Sequence, residues 1–141
     1  MGLVTAKMLH DEGAHVLVTG RSPAGLESAW RELGTDAIVV SSDARSLADI
    51  DALAARVKTE LDTVDLLFVN AGCSIPTPLV DVTEAIYDEM FNLNAKGPFF
   101  TVQKFAPLME CLARSPTEPP RPPCDPSLAR SPSNCFLSRF A

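Results

Sequence analysis

No run of 18 apolar residues occurs anywhere in these 141 residues, so the sequence predicts no membrane-spanning helix. Residues 1–10 lack a basic segment followed by a long apolar one, and no secretory signal is predicted. The four cysteines, Cys73, Cys111, Cys124 and Cys135, show no paired-ligand spacing, so no metal site is expected and a reduced, cytoplasmic chain is the simplest expectation. Cys73 reads as a small, half-buried residue after a turn rather than a nucleophile. Basic side chains are outnumbered, 12 against 18 acidic, and the net charge of −6 argues against a nucleic-acid partner. Residues 1–110 carry 8 basic and 16 acidic side chains, whereas residues 111–141 carry 4 and 2. Those last 31 residues contain no glycine, yet hold seven of the twelve prolines and five serines. Proline removes backbone donors and blocks both helix and sheet ladders, so 110–141 is expected to be a disordered Pro/Ser/Arg-rich tail behind a folded domain of 1–109. The spacing of Pro119 and Pro122 suits an aromatic groove, but low complexity is the better account.

What is present is a core. The chain is 46% hydrophobic and 21% charged. Its organising stretch is 64–72, Val-Asp-Leu-Leu-Phe-Val-Asn-Ala-Gly. The unbroken run Leu66, Leu67, Phe68 and Val69 predicts a parallel strand covered on both faces. Asn70, Ala71 and Gly72 end it. Ligands of open α/β sheets lie beyond such strand ends, where small residues allow close backbone approach and an amide can tie neighbouring loops.

The rest alternates helix and strand. Residues 1–13 read as a helix with Leu3, Ala6, Leu9 and His10 on one face and Gly13 as its stop. Residues 14–20 read as a short buried strand. Residues 22–33 form a second helix, with Ser22 as N-cap, Pro23 in the first position, and Leu26, Trp30 and Leu33 as its apolar stripe. Trp30 is expected in the core. A third strand lies within 36–41. A third helix covers 46–61, with Leu47, Ile50, Leu53, Ala54 and Val57 at helical spacing and a charged, solvated face. After a loop marked by Pro76 and Pro78, a long helix opens at Thr83 and Glu84. Its apolar residues, from Ile86 to Val102, fall on more than one face, as in a buried or interfacial helix.

Two motifs carry a family resemblance. Asp65–Gly72 resembles the fourth strand and Asn-Ala-Gly signature of the short-chain dehydrogenases/reductases, and Phe91-Asn92-Leu93-Asn94-Ala95-Lys96-Gly97 resembles that family's Asn-containing helix, at the family spacing. The resemblance covers about residues 1–109. It implies an incomplete Rossmann-like, doubly wound parallel α/β sheet, made of strands 2–4 of the family fold. It also implies a nicotinamide cofactor and hydride transfer between that cofactor and a carbonyl or alcohol. Gly2 matches the last glycine of the family's phosphate-binding turn, where free N–H groups favour an anion; the earlier glycines and the first strand are absent. Thr19-Gly20 is a decoy for that turn, since Gly25 comes one residue too late and Pro23 intervenes. Arg21 stands where the family places a basic residue against the 2′-phosphate of NADP, and Gly20 where NAD-preferring members carry an acid. A guanidinium grips a phosphate that an acid would repel, so NADP is favoured over NAD. Asp43 matches the carboxylate beside the adenine amine and Ala44 the backbone next to it. Asn70, Ala71 and Gly72 complete the cofactor-binding set. Asn94 matches the catalytic-site Asn whose carbonyl holds a relay water, and 83–109 the common dimer surface.

The same resemblance exposes gaps. Family chemistry needs a Tyr general acid/base, a Lys four residues later and a Ser. The one tyrosine, Tyr87, precedes Asn94 and is followed four residues on by Phe91. Only Asn94 of the catalytic set is present. The first family strand belongs between strands 2 and 4, so its absence is expected to leave two apolar edges that pair directly or stay open and invite aggregation. These features predict a truncated dehydrogenase, with a misplaced start and a frame-shifted or mis-spliced end. Its cofactor binding is expected to be impaired and its own turnover absent. The alternative is a non-catalytic module that pairs with intact family members through 83–109.

Overall fold

A computed structural model of the chain describes residues 1–109 and the strand Asn134–Ser138. The described elements run α1 (Gly2–Asp11), β1 (His15–Gly20), α2 (Pro23–Leu33), β2 (Ile38–Ser41), α3 (Leu47–Glu60), β3 (Leu66–Val69), α4 (Glu84–Phe91), a π-helical turn (Asn92–Lys96), α5 (Gly97–Phe105) and β4 (Asn134–Ser138). Short 3₁₀ turns lie at Leu79–Asp81 and Ala106–Leu108.

The local signals act as their chemistry dictates. Gly13 takes φ +87°, a left-handed conformation that suits glycine, just past α1. Ser22, Ser46 and Thr83 each turn a side-chain oxygen back to accept a backbone N–H in the first turn of α2, α3 and α4. The charged face of α3 is laced by the pairs Arg56–Glu60 and Lys58–Asp62, and Lys104 of α5 reaches Asp51 of α3 at 2.6 Å.

The four described strands are parallel, in the order β2-β1-β4-β3. Strand alternation divides the core in two. Val16 and Val18 of β1 pack with Ala6 of α1 and with Ala29 and Leu33 of α2, while Leu17 packs with Leu53 and Val57 of α3 and with Phe105 of α5. The same alternation sends Val39 and Phe68 to the first face, and Val40 and Leu67 to the second. Helices therefore cover both faces, α1 and α2 on one and α3 and α5 on the other. This is the expected doubly wound arrangement.

Three expectations are corrected. Asn134–Ser138 is a strand, not part of a disordered tail; 110–133 and 139–141 lie outside the described residues. This strand pairs with β1 over five residues and with β3 over four, so the edges of β1 and β3 neither stay open nor meet directly. Its parallel register gives each backbone the ladder partner that a central position requires. Second, β3 is not fully covered on both faces: Leu66 is 41% exposed and Leu67, Phe68 and Val69 are half-buried, because β3 is an edge strand of the described sheet. Third, Trp30 is 56% exposed and Ala29 is buried in its stead. Ala29 and Leu33 of α2 face the core, with Leu26 half-buried, so the buried track lies one residue away from the expected one.

Candidate cofactor site at the strand ends

Parallel strands bring their carboxyl ends to one side of the sheet. There β1 ends at Gly20-Arg21, β2 at Ser41-Ser42-Asp43-Ala44 and β3 at Asn70-Ala71-Gly72. The β1 and β2 ends are stitched by the Ser42 N–H, which donates to the Gly20 carbonyl at 3.0 Å. The loop after β2 is held by Asp49 of α3, whose Oδ2 accepts the Asp43 N–H at 2.9 Å while its Oδ1 accepts the Ser46 hydroxyl at 2.9 Å. Arg21 and Asp43 therefore face each other from fixed backbone, with Arg21 Nη1 3.6 Å from Asp43 Oδ2.

Arg45, which the sequence reading did not single out, grips Asp43 more closely. Its Nε lies 3.2 and 3.1 Å from Oδ1 and Oδ2, its Nη2 donates to Oδ2 at 2.7 Å, and its backbone N–H donates to Oδ1 at 3.0 Å. Its Nη1 also lies 3.5 Å from Glu89 of α4. The Arg45 side-chain bonds hold the Asp43 carboxyl below its ordinary pKa, helped by the Arg45 backbone N–H and by the charges of Arg45 and Arg21, against a burial effect of opposite sign. The Asp43 carboxylate raises Arg45 in turn. A depressed folded-state pKa means that the unfolded chain binds the proton more readily, so the contribution is fully present above the unfolded carboxylate range near about 3.9. It disappears as pH falls through the folded value. The stability advantage of the wild-type chain over Asp43→Asn is thus expected to be constant from about pH 7 to 5 and to vanish at lower pH. Paired melts across that range check this, and an advantage that grew on acidification would contradict it.

The third strand end is locked by Asn94. Its Oδ1 accepts the Cys73 N–H at 2.8 Å and its Nδ2 donates to the Cys73 carbonyl at 2.8 Å. Asn94 ties this loop through its side-chain amide, which supplies both a donor and an acceptor. A Cβ on Gly72 would lie 3.3 Å from Asn94 Oδ1, so a side chain there would crowd the lock. Asn94 sits in the π-helical turn, where the Gly97 N–H donates to the Asn92 carbonyl five residues back. Pro98 explains the local sequence effect: with no N–H, it cannot make the α-helical bond to the Asn94 carbonyl. Gly97, which closes the Asn94 motif, has a structural role of its own: its Cα lies against the Ala44 backbone, and an added Cβ would fall 2.2 Å from the Ala44 oxygen.

The other predicted residues are placed as follows. Gly2 is buried at the start of α1, which packs on β1, α2 and β4. Ala71 is buried beyond β3, and Asn70 is half-buried. Tyr87 is exposed on α4, its ring stacked on Phe91 at 5.0 Å. A shallow pocket of about 360 Å³ between β2 and α3, lined by Val40, Ser41, Asp49, Leu53 and Arg56 among others, meets the strand-end site at Ser42. Among the described residues no helix is long and apolar enough to cross a membrane, and no three His, Cys, Asp or Glu residues cluster as metal ligands.

The family model for short chain dehydrogenases matches residues 1–116. The chain is 38% identical over 109 residues to the oxidoreductase asL5 of Sarocladium schorii, covering 77% of this chain and 44% of that protein. It is 32% identical over 114 residues to galactitol 2-dehydrogenase of Agrobacterium fabrum, covering 81% and 44%. Among solved structures, an actinorhodin polyketide ketoreductase with NADPH superposes with a TM-score of 0.69 at 29% identity, over 73% of this chain and 41% of that one. A short-chain dehydrogenase/reductase from Brucella melitensis, at 22% identity, shares the fold with a TM-score of 0.71 over 77% and 48%. The chain thus spans less than half the length of the curated relatives named here. With the sheet, the Asn-Ala-Gly strand end and the Asn94 lock in place, the chain belongs to the short-chain dehydrogenase family of oxidoreductases.

Proposed function

We propose that this chain holds the adenosine end of NADP and performs no hydride transfer of its own. The observation that carries the reading is Arg21 at the end of β1, held beside Asp43 at the end of β2, with Gly20 rather than an acid before it. The donor set fits the group: Arg21 keeps a buried Nε with no hydrogen-bond partner among the described residues, and a guanidinium fork suits a phosphate. Arg21 would take the 2′-phosphate. Asp43 would accept the adenine amine in exchange for one of Arg45's bonds, and Ala44, Asn70, Ala71 and Gly72 would line the ring and ribose. The ketoreductase neighbour, solved with NADPH, supports the cofactor class. A nicotinamide, when bound, would supply hydride to a carbonyl in its reduced form or accept it from an alcohol in its oxidised form.

Against turnover stands the residue set. Tyr87 has Phe91, not Lys, four residues on, and its ring is stacked against Phe91 on an exposed helix face. Of the family's phosphate-binding glycines only Gly2 is matched, so binding is expected to be weaker than in an intact relative. Cys73 is a free thiol, and the location proposed for the chain is cytoplasmic.

Titration of the purified 141-residue chain with NADPH and NADH, read by nicotinamide fluorescence, is expected to show about tenfold tighter binding of NADPH. No NADPH should be consumed with a carbonyl substrate. Equal affinities would overturn the NADP reading, and carbonyl-dependent oxidation the non-catalytic one. A second reading, pairing with intact family members through 83–109, is favoured by one observation: Tyr87, Phe91, Phe99 and Val102 are 44–63% exposed along α4 and α5. Co-purification with a full-length family member tests it.

A further inference from the structure

We infer that Arg45 is the positioning residue that gives this site its 2′-phosphate preference, by occupying the Asp43 carboxylate and so leaving Arg21 to the ligand. The inference rests on the adenosine-end reading above and deepens it. Asp43 is the obvious competitor for Arg21. An unpaired carboxylate 3.6 Å from a guanidinium would draw it into a closer pair and would also repel an incoming phosphate.

Arg45 opposes both effects. A carboxylate has about four acceptor sites, and Arg45 directs one backbone and two side-chain N–H groups at them, across both oxygens, at 2.7 to 3.2 Å. Arg21, by contrast, lies beyond hydrogen-bond length from Asp43, and its buried Nε has no partner among the described residues. The positive charge of Arg45 also offsets that of the Asp43 carboxylate, while Glu89 balances Arg45 from the far side at 3.5 Å. The backbone bond from Ser42 to Gly20 and the Asp49 tie keep the two loops apart at this spacing, so Arg21 is held near Asp43 without being spent on it.

The test measures the ratio of two affinities on the full 141-residue chain, by calorimetry with adenosine 2′,5′-bisphosphate and with adenosine 5′-monophosphate. The wild-type chain is expected to prefer the bisphosphate. Arg45→Ala should lower that preference about tenfold, because Asp43 then captures Arg21. Arg45→Ala combined with Asp43→Asn should recover most of it, because the competitor has lost its charge. A merely structural loss would weaken both nucleotides together and leave the ratio unmoved. If the wild-type chain binds neither nucleotide, or both equally, the NADP reading falls and the inference with it. If the wild-type preference stands but Arg45→Ala retains it, the inference alone is overturned. A lost preference that the double variant does not recover would also overturn it, since Arg45 would then meet the ligand directly.

Discussion

Replacing Gly97 with alanine is expected to destabilise the chain by about 2–3 kcal/mol, although alanine is the better helix former by about 1 kcal/mol. The two effects oppose, and the contact distance decides between them. The new Cβ would lie 2.2 Å from the Ala44 carbonyl oxygen and 3.2 Å from that of Asn92. Both are backbone atoms, so no rotamer change relieves the overlap. Either α5 lifts from the loop after β2, or Ala44 is displaced and carries Asp43 and Arg45 with it. Gly25 of α2 provides the internal control, because its added Cβ would meet Ser22 Cβ at 3.6 Å and Oγ at 3.8 Å, an ordinary contact. Gly25→Ala should therefore stabilise by about 0.5–1 kcal/mol. Urea midpoints for the two variants should move in opposite directions. If Gly97→Ala shifted its midpoint upward like Gly25→Ala, the tight seating of α5 on Ala44 would be wrong.

The second large effect is expected from β4. Ending the chain after Met109 removes the strand that separates β1 from β3, and with it five residue pairings on one side and four on the other. At roughly 1 kcal/mol net for each backbone hydrogen bond lost, the deficit is on the order of 5 kcal/mol, comparable to the whole stability of a small domain. The shortened chain should lose its cooperative thermal transition and aggregate through its two exposed edges. A single change separates the strand from the rest of the removed segment. Phe136→Pro deletes one backbone donor at a position that is central in the sheet, where proline is not accommodated. It should lower the melting temperature by 10 °C or more, on the order of 2–3 kcal/mol. Melts of both variants within a few degrees of the full chain would mean that β4 contributes little to holding the sheet together.

The order of helices and strands through 109 was legible in the sequence, apart from the π-helical turn that divides the helix expected from Thr83 into α4 and α5. Apolar periodicity, the capping hydroxyls of Ser22, Ser46 and Thr83, and the stop at Gly13 act within a few residues, so a linear reading captures them. The strand-end motif Asn70-Ala71-Gly72 and the Asn94 segment carried the family because each is a short run of residue types readable in the linear sequence. Tertiary structure alone decided the rest. Asn134–Ser138 lies in a segment whose proline content argues against any ladder, and its strand exists only because β1 and β3 present parallel partners on both sides. Trp30 and Ala29 exchanged places because the approach of α2 to the sheet, not the size of a side chain, sets which track is buried. The grip of Arg45 on Asp43 and the close seating of Gly97 on Ala44 were illegible because each is a distance set by the folded loops: 2.7 Å from Arg45 Nη2 to Asp43 Oδ2, and 2.2 Å from a Cβ that Gly97 does not have to the Ala44 oxygen. Local sequence sets which backbone conformations are cheap, whereas the chemistry of this site depends on which loops the parallel sheet brings to one end.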